Sequence, residues 1–165
     1  MTKLGFRWLP VPVCAAAILL LSASPGRAAC TNFIYGTAGN DHLNGTDAND
    51  CIYGYGGDDI ISPARGNDQV FGGDGNDTIY CADGYDYADG GPGDDFIDGG
   101  PDGDTLEGGA GNDVIHGYGG MDHIYGEDGD DFLYGEGNDD YIDGGPGTDT
   151  CDGGMGTNTI LNCSP

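Results

Sequence analysis

From Gly36 to Leu161 the apolar and polar positions of the chain recur every nine residues, with no insertion or deletion, giving fourteen units. The sixth position of the unit is Asp41, Asp50, Asp59, Asp68, Asp77, Asp86, Asp95, Asp104, Asp113, Asp122, Asp131, Asp140 and Asp149, and Asn158 ends the series. The eighth is Leu43, Ile52, Ile61, Val70, Ile79, Ala88, Ile97, Leu106, Ile115, Ile124, Leu133, Ile142, Cys151 and Ile160. Two such columns in phase mark a repeat architecture, in which each unit is one structural step. Positions 1, 2 and 4 are mostly glycine, as in GGDGNDTIY from Gly72 and GGAGNDVIH from Gly108. Glycine admits positive φ and close backbone approach, so the first six residues predict a turn. Positions 7 to 9, rich in Ile, Tyr, Phe and Thr, predict a short strand. Its period of two directs position 8 inward and positions 7 and 9 outward.

Charge sharpens this picture. The chain holds 29 acidic residues, all after residue 28, and four basic ones. Lys3, Arg7 and Arg27 fall in a segment with a basic start, an apolar stretch from Trp8 to Leu21 and small residues before Ala28. That order predicts a secretory signal peptide over residues 1–28. Beyond it only Arg65 opposes the acids, and 1 − 29 gives a formal charge of −28. Such self-repulsion excludes nucleic acid and anionic membranes as partners. Multivalent cations are the natural partners, and aspartate carboxylates with turn carbonyls are the hard oxygen donors that Ca²⁺ takes.

The unit resembles the RTX, or hemolysin-type, calcium-binding nonapeptide repeat G-G-x-G-x-D-x-U-x. The resemblance spans nearly the whole chain after the signal segment. It implies an all-β fold: a parallel β-roll, a right-handed β-solenoid of about seven two-repeat coils stabilised by calcium ions. Like faces then recur every 18 residues, and ions lie between turns stacked on one side. That pairs Asp59 with Asp77, Asp95 with Asp113, and Asp113 with Asp131. The thirteen consecutive aspartates, Asp41 to Asp149, are the expected metal ligands, and they form eleven such pairs. Departures from the pattern mark weaker places: Ala48, Asp102 and Asn138 at position 4, Pro63-Ala64 and Cys81-Ala82 at positions 1 and 2. The weakest coils are expected around residues 63–68 and 81–89.

The ends read as caps around a roll of residues 36–161. Residues 29–35 imitate half a unit, with Asn32 and Ile34 in phase at positions 6 and 8; residues 162–165 close the other end. Five cysteines follow residue 28, and an oxidising compartment permits disulfides between them. The expected bridges are Cys30–Cys51 and Cys151–Cys163, with Cys81 left over; buried free thiols are the other reading.

Catalytic chemistry finds few candidates. No lysine follows residue 28, and Ser62 and Ser164 sit in no nucleophile elbow. His42, His116 and His123 fall on outward strand positions, where solvated imidazoles are a better account than a zinc site. The reading is therefore a secreted, extracellular, non-enzymatic calcium-binding protein, structural or interacting, whose repeats fold on binding Ca²⁺. The alternative is an RTX secretion or folding module, related to those of toxins, proteases or lipases, without its own catalytic domain. Ice binding fits poorly, because position 3 holds no threonine. An outward strip of His42, Ile60, Thr78, Phe96, Val114, Phe132 and Thr150, joined by Tyr80, His116 and Tyr134, leaves two accounts open: a surface for self-association or a partner, or cross-strand ladders that only stabilise the sheet.

Overall fold

The computed structural model describes residues 29–164, so the predicted signal segment lies outside the described residues. Among them every regular element is a strand. One sheet of eight holds β1 (Asn32–Tyr35), β3 (Asp50–Gly56), β5 (Gln69–Asp74), β7 (Tyr87–Pro92), β9 (Thr105–Ala110), β11 (His123–Asp128), β13 (Tyr141–Asp143) and β15 (Thr159–Leu161), in that spatial order. The other sheet holds seven: β2 (His42–Asn44), β4 (Ile60–Ser62), β6 (Thr78–Tyr80), β8 (Phe96–Asp98), β10 (Val114–His116), β12 (Phe132–Tyr134) and β14 (Thr150–Asp152). Successive strands alternate between the sheets, and every pairing is parallel. The chain is thus a β-solenoid of about seven turns.

The register is the sequence period made spatial. Ile52 pairs with Val70, Ile115 with Leu133 and Ile142 with Ile160, each 18 residues on. A period of nine turns the chain once per half coil, so two units return it to the same sheet. Position 8 fills the space between the sheets: Ile52, Ile61, Val70, Ile79, Ala88, Ile97, Leu106, Ile115, Ile124, Leu133 and Ile142 are all fully buried. Leu43, Cys151 and Ile34 are partly buried beside them at the ends.

One expectation needs correction. The three-residue strand holds for the seven-stranded sheet, but β5, β7, β9 and β11 each run six residues and β3 seven. These strands continue through the opening residues of the next turn, pairing Tyr55 with Gly73, Gly91 with Gly109 and Asp128 with Ala110. In-register stacking overrides the poor strand preference of glycine and proline there.

The second residue of most turns has positive φ. Glycine fills it at Gly73, Gly91 and Gly109, but Tyr55, Ala64, Ala82, Tyr118, Glu127 and Glu136 also adopt it. Side chains rarely accept this region. At Tyr55 the ring is stacked on Tyr35 and Tyr53, with centroids 6.3 and 6.5 Å away. Both expected disulfides form: Cys30–Cys51 ties β1 to β3, and Cys151–Cys163 folds the C-terminal segment back on β14. Cys81 is free and buried.

The outward rings stack along the solenoid axis. Tyr35, Tyr53 and Phe71 form one stack, with centroids 5.6 and 5.1 Å apart. On the other sheet Tyr80, Phe96, His116 and Tyr134 form a second. These are the cross-strand ladders of the second account of the strip.

Candidate metal sites

Turns of odd-numbered units stack along one side of the solenoid and those of even-numbered units along the other. All thirteen aspartates of the repeat sit at the end of a turn, where the chain enters a strand. Twelve are buried and Asp41 is half-buried. From Asp59 onward each reaches one coil back with one oxygen. The Asp59 Oδ1 accepts the backbone N–H of Asp41 at 2.7 Å, Asp113 accepts that of Asp95 at 2.7 Å, and Asp131 that of Asp113 at 2.8 Å. The same bond recurs at every step, making the eleven pairs read from the sequence.

The other oxygen behaves differently. Among the described residues, the buried Oδ2 atoms of Asp59, Asp68, Asp77, Asp86, Asp95, Asp104, Asp113, Asp122, Asp131, Asp140 and Asp149 have no hydrogen-bond partner. A buried acceptor left unpaired costs about 1–3 kcal/mol, and more if charged. Eleven of them in two rows need a cation or a proton.

The backbone around these atoms is shaped to leave room. A Cβ placed on Gly144 would lie 2.6 Å from both Asp149 Oδ2 and the Asn162 carbonyl oxygen, one coil on. The would-be Cβ of Gly90 meets Asp95 Oδ2 and the Gly108 carbonyl in the same way. The glycine of position 1 thus keeps open a space between a carboxylate oxygen and a carbonyl oxygen of the neighbouring coil. Among the described residues no three His, Cys, Asp or Glu side chains converge on a metal position. One carboxylate with backbone carbonyls is an oxygen-only set that suits Ca²⁺ and offers nothing to a softer ion. His42, His116 and His123 lie on outer faces away from it; His116 Nδ1 contacts Glu136 Oε1 at 2.8 Å.

Electrostatics agree with the geometry. Burial raises the carboxyls of Asp68 and Asp77 to about 6 and those of Asp86, Asp95, Asp113 and Asp122 to about 7. Asp104 is pushed to about 9, first by burial and then by Asp86 and Asp122 on the flanking coils. Backbone hydrogen bonds oppose the rise in each case without cancelling it. Without a counter-ion, ionised rows of this kind strain the fold at neutral pH.

The ends of the rows are finished by residues that the sequence reading passed over. Asp41 and Asp50 are expected ligands, yet their Oδ2 atoms are already satisfied. Thr37 donates its N–H and hydroxyl to Asp41 Oδ2 at 2.6 and 2.8 Å. Thr46 donates to Asp50 Oδ2 at 2.6 and 3.1 Å. At the far end the Asn158 side-chain amide donates to the Gly153 carbonyl at 2.6 Å, placing an N–H where other turns leave an unpaired oxygen. A threonine at position 2 of the first two units was the available signal.

A second ladder runs outside the first, along the odd-numbered turns. Position 5 there reads Asn40, Asp58, Asn76, Asp94, Asn112, Asp130 and Thr148. From Asp58 onward each backbone N–H donates to the side-chain Oδ1 one coil back, at 2.7–3.1 Å. Amide and carboxylate alternate, so like charges are two coils apart, roughly 9.6 Å at ordinary strand spacing. That is about a Debye length at physiological salt.

Comparison with curated proteins gave no match. The family model described as RTX calcium-binding nonapeptide repeat (4 copies) matches residues 35–70, 64–88, 71–106, 98–133 and 125–160. Those matches run across the same turns that leave the eleven aspartate oxygens unpaired, and the chain belongs to the RTX calcium-binding nonapeptide repeat family.

Proposed function

We infer that this is a secreted, extracellular calcium-binding protein of structural or interaction type, whose repeats fold when Ca²⁺ occupies the aspartate rows. One observation carries the reading: eleven buried carboxylate oxygens have no partner, and those of Asp59, Asp77, Asp95, Asp104, Asp113, Asp131 and Asp149 share the space beside the turn glycine with a carbonyl oxygen of the next coil. The candidate ligands are Asp59, Asp77, Asp95, Asp113, Asp131 and Asp149 along one side, and Asp68, Asp86, Asp104, Asp122 and Asp140 along the other. Bound Ca²⁺ supplies the positive charge that lets the rows stay ionised and close-packed. Asp41 and Asp50, whose oxygens threonine satisfies, serve first as the caps of the two columns. Disulfides at both ends are consistent with an oxidising, extracytoplasmic setting. Among the described residues no helix is long and apolar enough to cross a membrane.

The test is a calcium titration of the protein freed of its signal segment, followed by circular dichroism. Extracellular calcium modules bind at about 10⁻⁴–10⁻³ M, so β-structure should appear in that range and vanish with a chelator. Unchanged β-structure in excess chelator would overturn the reading. The interaction role is tested by sedimentation of the calcium-loaded protein and of Phe96→Ser with Phe132→Ser. Association lost in the double variant supports a surface; a monomeric wild type leaves the rings as ladders alone.

A further inference from the structure

The two sides of the solenoid are built differently, although the period makes them equal. Every odd-numbered turn keeps glycine at positions 1 and 4 and aspartate at position 6, from Gly36 to Asp149. Every departure at these three positions lies among the even-numbered turns: Ala48, Pro63, Cys81, Asp102, Asn138 and Asn158. Backbone structure follows the same division. Parallel pairing continues into the odd turns through β3, β5, β7, β9 and β11, whereas the even turns carry only the isolated bridges Arg65–Asp83 and Gly137–Met155. The outer position 5 ladder is unbroken on the odd side. On the even side it runs from Asn49 through Asn67 to Tyr85 and resumes only between Asp139 and Thr157.

Position 1 decides what this means for an ion. At the glycine turns the space beside Oδ2 is open only because no Cβ is present: one on Gly72 or Gly108 would collide with Asp77 or Asp113. Pro63 and Cys81 put a side chain at this position, and both are buried. Cys81 is fully buried among the core residues, and its thiol lies within the electrostatic reach of Asp86, Asp104 and Asp68. The backbone at Cys81 keeps the regular path, its N–H donating to the Asp98 carbonyl at 2.8 Å as Gly99 does to His116. The turn at Cys81 thus keeps its bond to the next coil while carrying a buried side chain where the glycine turns have none.

We propose that the solenoid carries two unequal calcium columns: six equivalent sites on the odd side, and on the even side only three, at Asp104, Asp122 and Asp140, because Pro63 and Cys81 fill the places beside Asp68 and Asp86. The plugged turns fall together in the N-terminal half, so the even column is occupied over its C-terminal half alone. The proposal rests on the calcium reading above and adds to it the count and distribution of the ions.

The experiment is equilibrium dialysis of the disulfide-intact protein against calcium, with bound metal counted by atomic emission. About nine ions per chain are expected, against the eleven unpaired oxygens. Cys81→Gly should raise the count by about one and Pro63→Gly by about one more, while Gly90→Ala, on the intact side, should lower it by about one. Eleven ions in the wild type would overturn the two-column proposal and leave calcium binding standing. No bound calcium would overturn both. The wild-type count stands even where a variant does not fold, and an unchanged count in a folded Cys81→Gly or Pro63→Gly also defeats the proposal.

Discussion

Replacing Asp113 separates the two jobs of one carboxylate. Its Oδ1 accepts the Asp95 N–H at 2.7 Å, and its Oδ2 is unpaired. Asparagine keeps an acceptor for the first and takes away the charge needed for the second. If Oδ2 binds calcium at a Kd of about 10⁻⁴–10⁻³ M, one site at roughly 10 mM calcium contributes about 1.4–2.7 kcal/mol. Asp113→Asn should lose that amount, and the gain in stability per tenfold rise in calcium should shrink by about 1.4 kcal/mol, the weight of one ion. Asp113→Ala should lose the same and a further 1–3 kcal/mol or so, because the buried Asp95 N–H is left without an acceptor. Denaturant unfolding at three or four calcium concentrations measures both quantities. Equal losses for Asn and Ala would refute the role of Oδ1. A calcium slope equal to wild type would refute an ion at Oδ2.

Protons should partly replace calcium. The folded, metal-free chain holds the carboxyls of Asp68, Asp77, Asp86, Asp95, Asp113 and Asp122 at about 6–7 against 3.8 unfolded, so it takes up protons on folding. Stability of that form is greatest below about pH 4 and falls as pH rises through 6–7. Metal-depleted protein should gain β-ellipticity as pH falls from 8 to 4, and a flat profile would contradict this. Thr46→Val should cost about 0.5–1.5 kcal/mol in calcium, since the hydroxyl bond to buried Asp50 Oδ2 is lost while the backbone N–H bond remains, and Thr37→Val should cost less because Asp41 is half-exposed; calcium-saturated unfolding compares them. Opening Cys151–Cys163 with a Cys163→Ser variant should lower stability by about 3 kcal/mol, as chain entropy gives for a 12-residue loop. A midpoint unchanged from wild type would mean that the C-terminal segment bears no load.

Much of this was legible because the period fixes stacking. With positions 6 and 8 in phase every nine residues, the pairs, the core and the registers follow from arithmetic. The end disulfides followed because Cys30 and Cys163 lie outside the units whose ends they close. What escaped is what appears only after stacking. The alternation of Asn and Asp at position 5 looks mixed when read unit by unit; it becomes an alternation only when alternate units are set above one another. The role of the threonines at 37 and 46 shows only in their bonds to the carboxylates beside them. Strand pairing through Gly91 and Pro92 runs against local preference, and only the neighbouring coil makes it favourable.

The tyrosine stack has an optical consequence. Tyr35 and Tyr53 lie face to face with centroids 5.6 Å apart, and Tyr55 lies 6.3 and 6.5 Å from them. Rings that close exchange excitation faster than they emit, whereas on an extended chain Tyr35 stands 18 residues from Tyr53 and no longer exchanges with it. The only tryptophan is Trp8, within residues 1–28, so in a chain freed of that segment tyrosine emission goes unquenched by indole. Its polarisation should fall as the coils close and recover as they open, giving the N-terminal coils a built-in gauge of closure that needs no attached dye.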